Sequence, residues 1–281
     1  LSLYEKAPAK INLCLNVLRK REDGFHEMEM LMTPIDLADR LTFSLLDREI
    51  SLDSNSSFMP LDERNIVYKT AQLLKDTYQV TQGADIYIEK NIPIAAGLGG
   101  GSSDAAATLR GLNRLWNLEL SLDELARLGE QIGSDVPFCV YNQTAFVSGR
   151  GEIVEPIQPF PKAWVILVKP PKGISSWTVF KDLDISQLLS YEIQAMREAI
   201  ENHSFKDAVR YAGNALEVQA VKQNPLIIEV KDKMLQFGAE TALMSGTGPT
   251  VYGLTQNMKK AQRIVNGLKG FCKEVYLVRT L

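Results

Sequence analysis

Four glycines fall within five residues at Gly97-Leu-Gly-Gly-Gly101, and Ser102, Ser103 and Asp104 follow directly. The next stretch, Ala105 to Leu115, has three alanines and then apolar residues at Leu109, Leu112 and Leu115, a helical spacing. A glycine loop feeding a helix start gathers unpaired backbone N–H groups and the positive end of the helix dipole at one point. Residues without side chains also let a ligand approach the main chain. The chemistry that suits such a cradle is phosphate binding. The loop is not a Walker A sequence, since no lysine follows its glycines. A dinucleotide fingerprint counted from Gly97 reaches Ser102 where its third glycine should stand, and Ile92 to Ala96 separate it from the nearest strand. The other reading is a tight, flexible turn. The serine hydroxyls at the helix start, which can cap the helix or hold phosphate and metal, weigh toward binding.

Three further segments carry polar groups in patterns that can serve a phosphate-using site. In Pro8-Ala-Lys-Ile-Asn-Leu13, Lys10 and Asn12 share one face of an extended chain, so an ammonium and an amide address the same ligand; the alternative is an edge strand with a solvated polar face. In Gly133-Ser-Asp-Val-Pro137, Asp135 stands at a predicted helix-to-strand corner, either fixing the turn or offering a carboxylate to a cleft. Ser245-Gly-Thr-Gly-Pro249 is a hairpin connection or a second backbone surface closing over a ligand.

The elements that must position these groups follow from periodicity. Ala9, Ile11, Leu13, Leu15 and Val17 alternate with Lys10, Asn12, Cys14 and Asn16, which predicts a strand. Further strands are predicted at 28–35, 41–46 and 84–89, and a helix over 65–78. Ser121-Leu-Asp-Glu124 is a capping-box signature that predicts a helix over 121–132. Three prolines within Pro156–Pro161 mark a linker or a rim between two lobes. Beyond it the pattern gives a strand at 163–168, a helical block over about 188–237, two strands flanking Ser245–Pro249, a helix over 257–268 and a last strand at 274–278. Helices set between strands make this an α+β chain, with domains expected at 1–158 and 159–281.

Composition excludes some classes. The chain has 281 residues, 45% of them hydrophobic, and a formal net charge of −3, so no global field draws it to nucleic acid. No apolar run reaches the length of a membrane span, and the first residues lack the basic and apolar regions of a signal peptide. Cys14, Cys139 and Cys272 are few, scattered and set among apolar residues, as expected of reduced core thiols in a cytoplasmic protein. With only His26 and His203, a histidine-rich metal site is not expected.

Taken in order, Pro8-Ala-Lys-Ile-Asn-Leu13, Pro93-x-x-x-Gly-Leu-Gly-Gly-Gly-Ser-Ser103 and Ser245-Gly-Thr-Gly-Pro249 resemble the three motifs of the GHMP kinases, small-molecule ATP-dependent kinases unrelated to P-loop enzymes. Arg21-Glu-Asp-Gly-Phe-His26, the triple glycine Gly99 to Gly101, Gly133–Pro137 and Gly149-Arg-Gly-Glu152 resemble the branch whose acceptor is a cytidine diphosphate-linked polyol of the non-mevalonate (MEP) isoprenoid route. The resemblance implies a two-lobed fold, an N-terminal nucleotide-binding α/β lobe and a C-terminal ferredoxin-like α+β lobe with a cleft between them. It implies ATP and Mg²⁺, with γ-phosphoryl transfer to the 2-hydroxyl of the methylerythritol moiety. It assigns Asp135 as the base that accepts the hydroxyl proton and Lys10 as the cation beside it. Pro93, Ala96, Gly97, Gly99, Gly100, Gly101, Ser102 and Ser103 are expected to bind ATP, the loop from Gly97 to Ser103 holding its phosphates, and Asn65 and Val67 to line the purine pocket, against a plain reading of the pair as helix cap and core valine. Asn12, Phe25, His26, Phe180, Gly246 and Thr247 are expected at the acceptor, with the cytosine ring between Phe25 and Phe180. Phe25 stands where the family usually has tyrosine, and Trp177 is the other candidate for the second stacking ring. No metal-ligand set is implied; Asp104 is a carboxylate beside the triphosphate that needs Mg²⁺ or water to offset it. The expected state is a monomer or weak homodimer, with neither nucleic acid nor membrane as partner. The competing expectations are another GHMP small-molecule kinase and a catalytically silent relative that only binds its ligands.

Overall fold

Strands β1 (Ser2–Lys20) and β2 (His26–Leu46) form a long hairpin. Its turn is set by Asp23 and Gly24: the Phe25 N–H donates to Asp23 Oδ1 at 3.0 Å, and Gly24 takes a φ of +87°, which favours glycine. Residues 7–17 of β1 are buried without a break, so the polar positions Lys10, Asn12 and Asn16 lie inside and not on a solvated edge. The computed structural model describes residues 2–181 and 183–281. Contacts divide the chain into two compact units. The first holds residues up to Ala9, Leu37–Ile92 and Gly99–Asn142; the second holds Lys10–Asp36, Pro93–Leu98 and Gln143–Leu281.

In the first unit, β3 (Ile50–Ser54) pairs parallel with β4 (Gly83–Glu89), and β4 pairs antiparallel with Arg40–Leu46 of β2. The two strands expected at 28–35 and 41–46 are therefore one, since nothing between them forces a turn. Helix α1 (Ile66–Thr77) starts at the N-cap Asn65 and buries Val67, Thr70, Ala71 and Leu74. Helix α2 (Gly100–Leu115) is buried over most of its surface, which its run of small residues permits. A Cβ at Gly111 would stand 2.4 Å from the Phe43 ring, so glycine sets how closely α2 lies on β2. Helix α3 (Leu122–Ile132) has the expected capping box between Ser121 and Glu124. The apolar run after Asp135 is not a strand; it is the short helix α4 (Val136–Tyr141), in which Pro137 supplies a φ that suits the first turn.

In the second unit, Met28–Met32 of β2 pair with β5 (Ala145–Gly149), which pairs with β6 (Ile153–Pro156). Strand β7 (Trp164–Val168) belongs to a second sheet, and α5 (Ser176–Lys181) follows it. The expected helical block breaks into α6 (Ile193–Glu201), α7 (Phe205–Ala208), the two-residue strand β8 (Gly213–Asn214), α8 (Glu217–Gln223) and α9 (Leu226–Gln236). Ser204 caps α7, and Gly213 and Pro225 stand at the later breaks. Strand β8 pairs parallel with β1 at Cys14 and Leu15. Strands β9 (Thr241–Met244) and β10 (Val251–Thr255), helix α10 (Met258–Lys269) and strand β11 (Val275–Arg279) complete the chain. The second sheet is antiparallel in the order β11-β7-β10-β9, with α9 and α10 packed on it, the ferredoxin-like arrangement expected. The fold is α+β, and among the described residues no helix is long and apolar enough to cross a membrane.

Candidate active site

Lys10 is 5% exposed and Asn12 1%, on alternate positions of β1. The Lys10 ammonium donates to Asn12 Oδ1 at 2.8 Å, and Asn12 Nδ2 donates to Met30 Sδ at 3.3 Å. The Asn12 carbonyl accepts from the buried Tyr252 hydroxyl at 2.7 Å, which ties β1 to β10. The amide and ammonium thus have a fixed relation before any ligand arrives.

Two loops meet beside this pair. The Lys10 N–H donates to the Leu98 carbonyl at 3.0 Å, and the Thr250 N–H donates to the Ala96 carbonyl at 3.3 Å. The Ser245 hydroxyl donates to the Gly97 carbonyl at 3.0 Å. A Cβ on Gly97 would fall 2.4 Å from the Ser245 carbonyl oxygen, so backbone lies directly on backbone there. Gly97, Gly246 and Gly248 have φ of +75°, +57° and +79°, a region other residues enter at a cost. Ser245–Pro249 connects β9 to β10 and also packs on Gly97 of the glycine loop.

In the first unit, Gly99 takes the left-handed conformation at the N-cap of α2, and the Ser103 N–H makes the bond back to the Gly99 carbonyl at 2.8 Å. The N–H groups of Gly100, Gly101 and Ser102 precede that bond and point out of the helix start, the geometry an anion uses. Ser103 is buried and its hydroxyl donates to the Pro8 carbonyl at 2.7 Å, binding the helix start to β1. Asn65 caps α1 through the Val67 N–H at 2.8 Å and donates to the Pro60 carbonyl, while the Val67 side chain is core. Asp135 sits at the start of α4, where its side chain makes no capping bond.

Sequence reasoning missed the partner of Asp104. Lys90 reaches both Asp39 and Asp104, whose carboxylates are buried, and Asp39 also accepts the N–H groups of Asn91 and Ile92. Lys90 is a cation already paired with Asp104. Among the described residues Asp104 Oδ1 has no hydrogen-bond partner. Burial above all, with Asp39 adding and Lys90 opposing, pushes the Asp104 carboxyl up to about 8. Lys90 and Asp39 stand 14 and 65 residues from Asp104 and form no motif, so nothing in the spacing announced them.

The aromatic residues gather in the second unit. His26 and Phe180 stack with ring centroids 5.1 Å apart and planes 24° from parallel. Phe25 is half-exposed and carries the Arg150 guanidinium 5.1 Å above its ring, a second contact that sequence reasoning missed. Trp177 is exposed beneath the Lys181 ammonium. The Thr247 and Ser176 hydroxyls lie 2.8 Å apart, so α5 is tied to the Ser245–Pro249 loop. Burial, then the Lys20 charge, lowers the His26 pKa below the ordinary imidazole value.

Family models for the GHMP kinases N terminal domain and the GHMP kinases C terminal match residues 65–143 and 196–274. Along its full length the chain is 53% identical over 282 residues to the 4-diphosphocytidyl-2-C-methyl-D-erythritol kinase of Enterococcus faecalis, covering 100% of both. This chain belongs to the GHMP kinases, in the branch of the 4-diphosphocytidyl-2-C-methyl-D-erythritol kinases. The kinase of the same name from Bacillus subtilis is 53% identical over 280 residues, covering 99% of this chain and 97% of that one. A crystal structure of a 4-(cytidine 5'-diphospho)-2C-methyl-D-erythritol kinase superposes with a TM-score of 0.85 at 30% identity, covering 99% of each chain. Homoserine kinase from Cytophaga hutchinsonii, with a TM-score of 0.75 at 19% identity over 96% of this chain and 93% of that one, shares the fold. Membership of this kinase family carries ATP use with it.

Proposed function

We propose that the protein transfers the γ-phosphoryl group of ATP to the 2-hydroxyl of 4-diphosphocytidyl-2-C-methyl-D-erythritol, a step of non-mevalonate isoprenoid precursor synthesis. The observation that carries this is the 53% identity spread over the whole of both chains. In the reaction the acceptor oxygen forms a bond to the γ-phosphorus, the bond from that phosphorus to the β–γ bridging oxygen breaks, and the hydroxyl proton leaves to a base. Such a transition state is loose, so positioning and charge stabilisation dominate over covalent work. Asp135 is our candidate for the base. Lys10 is our candidate for the cation that meets charge on the transferring group.

The N–H groups of the helix α2 start and the backbone of Gly97 suit the triphosphate. Asn65 and Val67 are assigned to the purine end through their family positions. Asn12, Gly246 and Thr247 are assigned to the polyol phosphate end, and Phe25, His26 and Phe180 to the cytosine. The 1–158 and 159–281 division, a cytoplasmic setting and a monomeric or weakly dimeric state belong to the same proposal. Mg²⁺ would supply charge neutralisation on the phosphates.

One assay tests the reading: ADP release from ATP with 4-diphosphocytidyl-2-C-methyl-D-erythritol, for the protein and its Asp135→Asn variant. We expect turnover that falls about 10²–10⁴-fold in the variant. Preference for an alcohol without a cytidylyl group, such as mevalonate or homoserine, overturns the substrate assignment.

A further inference from the structure

Asn214 is 1% exposed, and its side chain is fully engaged. Nδ2 donates to the Met244 carbonyl at 2.9 Å and to the Gly246 carbonyl at 2.7 Å, and Oδ1 accepts the Leu216 N–H at 2.9 Å. It stands on β8, whose parallel pairing with β1 sets Asn214 beside Leu15, and the adjacent Ala215 N–H donates to the Leu15 carbonyl at 3.0 Å. A two-residue strand buries too little to justify itself by packing; its effect is to hold one amide at a fixed height along β1. The Gly246 that this amide grips lies beside the Lys10–Asn12 pair. A Cβ there would lie 3.3 Å from Lys10 Nζ and 3.4 Å from Asn12 Oδ1. Glu217 holds the same turn from its other flank, accepting the Met244 N–H at 3.0 Å while paired with Lys231.

We propose that Asn214 is a positioning residue for phosphoryl transfer: it clamps the Gly246 turn to β1 and so fixes where the Lys10 ammonium points. The inference rests on the reading of Lys10 as the catalytic cation. Only a side chain with two donors and one acceptor in a plane can make all three bonds. Aspartate keeps the acceptor and turns a second oxygen toward two carbonyls; serine keeps one donor at shorter reach.

The test compares Asn214→Asp and Asn214→Ser with Asn16→Ser. Asn16 is also a buried asparagine of the β1 neighbourhood, but its amide bonds the Tyr191 backbone and does not touch the glycine turns. We expect kcat to fall about 100-fold in Asn214→Ser, the scale of an ångström-sized misplacement, with the KM for ATP little changed. Asn16→Ser is expected to lower Tm by a similar amount with kcat kept. Equal kcat per folded molecule in Asn214→Ser and Asn16→Ser overturns the proposal. A second measurement needs neither substrate nor turnover: the ¹³Cε signal of Lys10, assigned with Lys10→Met, is expected to move in Asn214→Ser and to stay in Asn16→Ser. An unmoved signal in the Asn214 variants also overturns it. Absence of turnover in the wild-type protein breaks the functional reading instead, and the Lys10 signal then decides the role of Asn214 by itself.

Discussion

Two regions of the second unit are built by opposite means. Around Lys10 and Asn12 the fixed objects are main chain: the Gly97 and Gly246 turns lie backbone on backbone, held by the Ser245 hydroxyl and the Asn214 amide. Around His26 and Phe180 the fixed objects are rings, one on the β1–β2 hairpin and one on the six-residue helix α5. At Gly97 the first region has no room for an added side-chain atom. The second joins the buried His26 to the half-exposed Phe25 and presents ring faces in place of backbone. Chemistry that depends on sub-ångström placement sits well in the first, and recognition of a flat base sits well in the second.

The contrast yields predictions of decreasing size. Lys10→Ala is expected to lower kcat about 10³-fold, with ATP affinity by calorimetry nearly unchanged; comparable losses in both reduce Lys10 to a binding residue. Gly97→Ala combines a left-handed φ with a Cβ 2.4 Å from the Ser245 carbonyl oxygen. It is expected to lower kcat/KM about 100-fold and to shift Tm downward, and a fully active variant would show that the backbone contact is dispensable. Phe180→Ala is expected to cost about 1–3 kcal/mol of acceptor binding, read as a rise in acceptor KM with the ATP KM kept, whereas Trp177→Ala leaves both in place. If Trp177→Ala raises the acceptor KM and Phe180→Ala does not, the stacking roles exchange.

Two smaller effects concern protons. His26 has its pKa lowered from 6.5, so the unfolded chain takes up its proton first. Its contribution to stability is therefore complete above about pH 6.5 and declines as the pH falls below that value. Acceptor KM is expected to rise over the same acid range and to lose that rise in His26→Asn; a profile identical to wild type removes His26 from the acceptor region. Asp104 has the opposite sign. Its raised pKa favours folding below its unfolded value of 3.8, and the contribution is lost as the pH climbs through about 8. Asparagine imitates the protonated form, so Asp104→Asn is expected to match the wild type near pH 4 by urea denaturation and to exceed it by a margin that grows up to about pH 8. Its Mg²⁺ dependence is expected to be unchanged, since Lys90 is the cation that Asp104 touches.

Much of this was legible in the residues. Local signals read well where one segment decides its own shape: the Ser121–Glu124 capping box, the helix over 257–268 and the strand around Lys10 and Asn12 all stand as expected. Reading failed where distant partners decide. Strand β8 exists because β1 offers it an edge, and no two-residue stretch announces that by itself. Asp135 was expected before a strand because Val136–Val140 is continuously apolar, a pattern that buried strands and short buried helices share. At the site, Lys10, Asn12 and the glycines were visible as motifs, whereas Asn214, Lys90 and Arg150 act through contacts between segments far apart in the sequence.

Arg110 of α2 reaches across the first unit to the last carbonyls of α4, Cys139 at 2.8 Å and Val140 at 3.4 Å, and to Glu5 of β1 at 3.1 Å. The helix that begins at the glycine loop and the short helix that begins at Asp135 are therefore bolted to one guanidinium. They are expected to open together, so amide hydrogen exchange over 100–115 and 136–141 should follow a single free energy.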